Sequence, residues 1–233
     1  MEKFIVAPSI LTANFVNLKN DLDILKDANI KWIHYDVMDY NFVPNLSFGP
    51  KILKDITDNY DFKIDAHLMV KINNLSVEEY LKPFIEAKVA QITLHFEAID
   101  EEQFVQFKEV CQKNNIICSL AINPDTSIEA IQDKLKDLQN VLVMTVYPGF
   151  GGQSYIPEAG EKIKQLVEIR EAKNLDYSIE VDGGINDATY RLVQNHGVDM
   201  IVAGSYLVGV DAELVKERVF KLENKILDCC LPK

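Results

Sequence analysis

The sequence predicts an α/β fold, a (β/α)8 TIM barrel built as a single domain over residues 1–233, on three observations. Apolar, β-branched runs recur at intervals of about 20–35 residues and number eight. Amphipathic, charged segments alternate with them. No linker rich in Pro, Gly or Ser divides the chain, and no GxGxxG turn follows an early run, which is what a doubly wound open sheet would display.

The runs are FIVAPSI (4–10), KWIHYDV (31–37), FKIDAHLMV (62–70), AQITLHF (90–96), IICSLAI (116–122), NVLVMTV (140–146), YSIEVD (177–182) and DMIVAG (199–204). Several are near-continuous rather than alternating, which suits strands covered on both faces, as in a parallel sheet. Between them, FVNLKNDLDILKDA (15–28) sets Phe15, Leu18, Leu22 and Leu25 on one helical face, and segments 101–113 and 161–173 repeat the spacing. Ser76 and Asp211 precede helical patterns as N-caps, and Gly197 ends one at the C-cap. The connections near 49–59 and 127–135 leave room only for short helices.

A chain of 233 residues that is 48% hydrophobic can bury one large core. Its net charge of −12 argues against a nucleic-acid partner, whose phosphates require a basic face. A small phosphorylated ligand stays open, because backbone amides hold phosphate without lysine or arginine. Cys111, Cys118, Cys229 and Cys230 show neither CxxC spacing nor a paired pattern, as in a reducing cytosol, and the vicinal Cys229–Cys230 pair reads as inert or surface. The N-terminal segment lacks the basic start and cleavage site of a signal peptide, and no apolar run approaches the ~20 residues that span a bilayer. A cytoplasmic protein with no membrane partner is expected.

On a strand, residues two apart share a face, so His34 and Asp36 project together, and so do Asp65 and His67 one strand later. Asp182 ends the seventh run, and barrel active sites form at the carboxyl ends of strands. Two imidazoles and two carboxylates converging there suit a divalent metal: Zn2+, Fe2+, Mn2+ or Co2+ better than calcium or magnesium. Either histidine alone also fits a strand histidine satisfied by backbone carbonyls, and Asp182 alone also fits a cap or turn acceptor. His95 reads as structural or as support behind the site, and His196 as part of a helix end.

Glycines follow the last three strands, in YPGFGGQSY (147–155), DGGI (182–185) and AGSY (203–206). Phosphate sites in barrels often sit after strands seven and eight, so Gly183, Gly184, Gly204 and Ser205 could offer N–H groups, while PGFGG is long enough for a lid. Met38, Met69 and Met144 stand near strand ends, where they either fill core or cap the reacting atoms.

The segments APSIL, HYDVMDYNFVPN, DAHLMV, TLHFE, VYPGFGGQ, VDGG and AGS, in that order and over nearly the whole chain, resemble ribulose-phosphate 3-epimerases. The resemblance implies a barrel interconverting D-ribulose 5-phosphate and D-xylulose 5-phosphate in the pentose phosphate pathway. It implies one divalent metal per subunit, zinc first, held by His34, Asp36, His67 and Asp182. Asp36 and Asp182 then match the acid/base pair, working through a 2,3-enediolate. Ser9, His67, Gly149, Phe150, Gly151, Gly152, Asp182, Gly183, Gly184, Gly204 and Ser205 match substrate-binding positions, and Met38, Met69 and Met144 match a hydrophobic cap. A homo-oligomer, dimer or hexamer, is expected. An epimerase of a six-carbon ketose phosphate such as D-allulose 6-phosphate is the near alternative, and a non-catalytic sugar-phosphate-binding barrel the distant one. Tyr40 stands where the family's VMDG pattern has glycine, so the loop after the second strand could differ; AGSYLV replaces a commoner small-then-aromatic ending.

Overall fold

The structure, a computed structural model, describes residues 3–225, so Cys229 and Cys230 lie outside the described residues. Each predicted run holds a strand: β1 Ile5–Pro8, β2 Trp32–Met38, β3 Lys63–Met69, β4 Gln91–His95, β5 Ile117–Ile122, β6 Asn140–Met144, β7 Ser178–Asp182 and β8 Met200–Ala203. All ladders are parallel, in the order β1-β8-β7-β6-β5-β4-β3-β2. A single parallel bridge, Ser9 to His34, joins the two end strands, which makes the sheet a (β/α)8 barrel closed beside the predicted site.

The helices are α1 Leu18–Asp27, α2 Pro50–Asn59, α3 Val77–Glu86, α4 Glu101–Asn114, α5 Pro157–Lys173, α6 Tyr190–His196 and α7 Ala212–Glu223. Ser76 forms a capping box with Glu79 at the start of α3, and Gly197 takes the left-handed conformation (φ 92°) after α6. Asp211 occupies the N-cap position of α7 but makes no side-chain cap bond. The connection after β5 departs from the eight-helix expectation. It holds 3-10 turns at Ile128–Ile131 and Leu135–Asp137, whose Ile128, Ile131 and Leu135 cover the barrel as a helix would. The 49–59 connection instead holds a full ten-residue helix.

The apolar residues of the strands sort by face. Ile33, Tyr35, Ile64, Leu68, Ile92, Leu94, Val141, Val143, Ile179 and Val181 belong to one large cluster with the helix residues Leu25, Leu53, Leu81, Phe107, Leu166 and Leu222. The alternate positions face the barrel axis, where apolar packing is confined to small groups such as Ala7 with Met200 and Val202. Most of that interior is polar and fully buried: His34, Asp65, His67, Gln91, Thr93, His95, Ser119, Asn140 and Glu180. The strands are thus covered on both faces, as expected, with an apolar helix-facing side and a largely polar axis-facing side.

Tyr40 adopts φ 58° in the turn after β2, so the tyrosine occupies the left-handed conformation that a glycine takes freely. Asp39 braces the turn by accepting from the N–H groups of Asn41, Phe42 and Lys71. The Tyr40 ring is 68% exposed, so little packing depends on it. Tyr40→Gly is expected to raise the unfolding free energy by about 0.5–1 kcal/mol, seen as a higher urea midpoint at constant slope.

Candidate active site

Parallel register sets His34 beside Asp65 and Asp36 beside His67 on the inward face of β2 and β3. His34 Nε2 lies 3.1 Å from His67 Nδ1, 3.2 Å from Asp36 Oδ1 and 3.6 Å from Asp182 Oδ2. His67 Nδ1 lies 3.0 Å from Asp36 Oδ1 and 3.8 Å from Asp182 Oδ2. The four residues predicted as ligands therefore present two nitrogens and two oxygens within 4.8 Å of one another.

The surrounding hydrogen bonds assign the ring tautomers. His34 Nδ1 meets Asp65 Oδ2 at 2.5 Å, so its proton points there and Nε2 keeps a lone pair. Burial pushes the pKa of His95 down to about 4, so that ring is neutral. Burial would raise the Glu97 pKa, but bonds from His95, Thr126 and the Asn123 N–H hold it below its ordinary value. His95 Nδ1 accordingly donates to Glu97 Oε2 (3.3 Å), and His95 Nε2 accepts from His67 Nε2 (2.8 Å). That leaves a lone pair on His67 Nδ1, facing the one on His34. Burial would also lower the His34 pKa, yet Asp36 and Asp65 raise it well above the usual histidine value, so a proton occupies the Nε2 lone pair until a cation displaces it. Burial would raise that of Asp36, but His34 and His67 hold it low. A point that favours positive charge among two imidazole lone pairs and two carboxylate oxygens fits a borderline divalent cation.

A second polar layer supports the first from below. Asp65 Oδ1 accepts from Gln91 Nε2 (2.9 Å) and Thr93 Oγ1 (3.1 Å). Glu180 Oε2 accepts from the same Gln91 (2.8 Å) and from Asn140 Nδ2 (2.7 Å). Burial, with the nearby Asp65 carboxylate, pushes the Glu180 pKa up to about 8. Sequence reasoning set Asp65 on the face of the third strand that carries His67 but missed Glu180 and Gln91. Glu180 stands two residues before Asp182, so the period-two rule that paired His34 with Asp36 would have found it.

A cavity of about 290 Å³ opens above the quartet, with Asp36, Asp182 and all three predicted methionines in its wall. Met38 and Met69 are register partners across β2 and β3, and Met144 stands beside Asp182 across β6 and β7. Ser9 Oγ donates to Asp36 Oδ2 at 2.6 Å, which leaves Oδ1 turned to the two imidazole nitrogens. Gly149, Phe150, Gly151, Gly152, Gly204 and Ser205 also line the cavity. His34 and His67 lie beneath it, fully buried. Gly184 has φ +71°, and a Cβ there would fall 2.6 Å from the Tyr155 backbone nitrogen, so the position requires glycine. The Gly183 N–H donates to Thr145 Oγ1 (3.1 Å), which corrects its expected role as a free donor. Among the described residues, the N–H groups of Gly184, Gly204 and Ser205 have no acceptor. The 147–153 segment is clamped: Asn45 Nδ2 donates to the Gly149 carbonyl, and Gln153 Nε2 donates to those of Tyr147 and Phe150. His196 ends α6 with Nδ1 on the Gly160 carbonyl, away from the quartet.

The model of the ribulose-phosphate 3-epimerase family matches residues 5–208, which span all eight strands. The chain belongs to that family. Ribulose-phosphate 3-epimerase of Bacillus subtilis is 36% identical over 205 residues, covering 88% of this chain and 92% of its own length. That of Mycobacterium bovis is 35% identical over 207 residues, 89% of this chain and 87% of its own. This member of the family is an enzyme of the ribulose-phosphate 3-epimerase type. Among solved structures, 3-hexulose-6-phosphate synthase of Salmonella typhimurium superposes with TM-score 0.69 at 13% identity, covering 94% of this chain and 100% of its own. 3-Keto-L-gulonate-6-phosphate decarboxylase of Vibrio cholerae gives 0.67 at 14%, covering 95% and 100%. These two share the barrel.

Asp65→Asn replaces the acceptor that fixes the His34 ring with an amide, and is expected to weaken Zn2+ binding about 10–100-fold, read by titrating metal-free protein against a competing chelator.

Proposed function

We propose that this enzyme interconverts D-ribulose 5-phosphate and D-xylulose 5-phosphate by moving the proton at C3, with Asp36 and Asp182 as the acid/base pair and His34, Asp36, His67 and Asp182 as ligands of one divalent metal. The observation that carries this reading is the convergence of two carboxylates from β2 and β7, strands separated around the barrel by β1 and β8, on one point in the cavity wall.

Inverting the carbon beside a ketone requires proton removal on one face and return on the other. A carboxylate on each side of the sugar does this: one accepts the C3 proton, the other donates, and the roles exchange in the reverse direction. Ser9 holds Asp36 in place through its hydroxyl. His34 and His67 keep their lone pairs turned to the site through Asp65 and through His95 with Glu97. Met38, Met69 and Met144 exclude water from the 2,3-enediolate. A divalent ion held by His34, Asp36, His67 and Asp182, Zn2+ ahead of Fe2+, Mn2+ or Co2+, would supply Lewis-acid stabilisation of the developing negative charge. The Gly184, Gly204 and Ser205 amides hold the phosphate, whose remote binding energy orients the sugar. Gly149–Gly152 cover the cavity mouth.

The retained aspartate pair weighs against a silent binding barrel. No lysine lines the cavity among the described residues, which weighs against decarboxylating or aldol-cleaving chemistry. Turnover on five- against six-carbon ketose phosphates separates this reading from a D-allulose 6-phosphate epimerase. Among the described residues no helix is long and apolar enough to cross a membrane. A cytoplasmic enzyme of the pentose phosphate pathway follows from the same reading. So does a homo-oligomer, for which the exposed Phe15, Val16, Tyr40 and Leu46 offer apolar surface.

Asp36→Asn and Asp182→Asn are each expected to lower exchange of the C3 proton with solvent deuterium by roughly 10²–10⁴-fold or more; near-normal exchange in either variant rejects the two-acid scheme. Stripping the protein with a strong chelator is expected to remove turnover, and adding Zn2+ or Co2+ to restore it. Full activity in verified metal-free protein rejects the metal role.

A further inference from the structure

Native structures leave few buried polar atoms unpaired, and each exception asks for a missing partner. Among the described residues the side-chain exceptions are Thr12 Oγ1, Asn123 Oδ1, Tyr155 Oη, Glu180 Oε1 and Arg218 Nε. Of these residues, Thr12 and Arg218 line the active-site cavity. They come from opposite ends of the chain, Thr12 from the 3-10 turn Ile10–Thr12 after β1 and Arg218 from α7.

Both converge on the segment that follows β8. A Cβ built on Gly204 would stand 3.6 Å from Thr12 Oγ1. Arg218 Nη1 donates to the Tyr206 carbonyl at 2.7 Å, and the guanidinium stacks 4.3 Å from the centre of the Tyr206 ring. Tyr206 thus seats the arginine. Asp187, which feels the charge of Arg218, is bonded instead to Tyr206 Oη and Lys221. Arg218 is the one lysine or arginine among the described residues lining this cavity, in a chain of net charge −12. Capping the turn after Gly204 accounts for Nη1 and leaves the buried Nε unexplained.

We propose that Thr12 and Arg218 complete an anion cradle with the Gly184, Gly204 and Ser205 amides, and that they select phosphorylated over unphosphorylated sugars. The proposal rests on the sugar-phosphate reading above and adds to it the side chains that grip the anion. The hydroxyl donates one hydrogen bond, and the guanidinium adds a charged one that backbone amides cannot supply. The cavity is then polarised: the carboxylates Asp36 and Asp182 belong to the quartet in its wall, and the guanidinium stands beside the segment after β8.

The test uses the full-length, metal-loaded protein and inorganic phosphate as the probe, with affinity read by calorimetry and by competitive inhibition. Arg218→Gln is expected to weaken phosphate binding about 10–100-fold and Thr12→Val about tenfold, with Thr12→Ser close to wild type. KM for D-ribulose 5-phosphate should rise in step. The ratio of kcat/KM on that substrate to kcat/KM on free ribulose should fall by the same factor. Unchanged phosphate affinity in both folded variants overturns the proposal. Should Arg218→Gln fail to melt cooperatively, Thr12→Val with the Thr12→Ser rescue decides by itself. Wild-type turnover combined with unchanged phosphate affinity in the variants removes the cradle and leaves the reaction standing. The expected order of phosphate affinities without wild-type turnover removes the reaction and leaves the cradle.

Discussion

The hydrogen bond between His34 Nδ1 and Asp65 is the contact on which the rest of the site depends. It spends one ring nitrogen on a buried carboxylate and thereby turns the other toward Asp36, His67 and Asp182. Asp65 can stay ionised at full burial because His34, Gln91 and Thr93 all satisfy it. Gln91 and Asn140 in turn satisfy Glu180 Oε2, so the network spans β3, β4, β6 and β7. A half-satisfied network of this kind would cost more than an apolar core, which is why nearly every member has a partner.

Such an interior is tolerable because the barrel does not rely on it for cohesion. The apolar faces of the strands pack outward against the helices as one continuous cluster, and that layer carries the hydrophobic stabilisation. The axis is therefore released for polar groups. The seam obeys the same division. β1 and β2 meet through the Ser9–His34 bridge, and Ser9 Oγ then reaches Asp36, so closing the sheet and orienting the carboxylate are one event.

This division also decides what was legible beforehand. The strand runs could be counted because their outward residues are apolar, and the His34/Asp36 and Asp65/His67 pairs stood out because such residues are rare inside apolar strands. Gln91, Thr93 and Asn140 did not stand out, since an isolated amide or hydroxyl at a strand position carries no signal until register sets it beside a carboxylate. The fifth crossover was misread as a helix because four isoleucines and leucines near 128–138 can cover a barrel from 3-10 turns as well as from a helix. Gly183 read as a phosphate donor from its place in a Gly-Gly pair, but its amide is consumed by a threonine 38 residues earlier. Thr12 and Arg218 are some two hundred residues apart in sequence and come to line one cavity only when the last strand docks beside the first, so no local pattern could announce them.

The fold relatives sharpen the point. Barrels that match at 13–14% identity retain the architecture while their names denote a synthase and a decarboxylase. What differs among such proteins must lie in positions the packing layer does not constrain. In this chain those are the inward residues of β2, β3 and β7, which carry the imidazoles and carboxylates of the quartet. A quartet of two imidazoles and two carboxylates that could hold a cation can move a proton beside a carbonyl without forming a covalent bond to the substrate. A lysine there would instead invite the carbon–carbon chemistry that an epimerase must avoid. On the proposed reading the chemistry is set on one face of three strands, while the opposite face of the same strands packs against the helices.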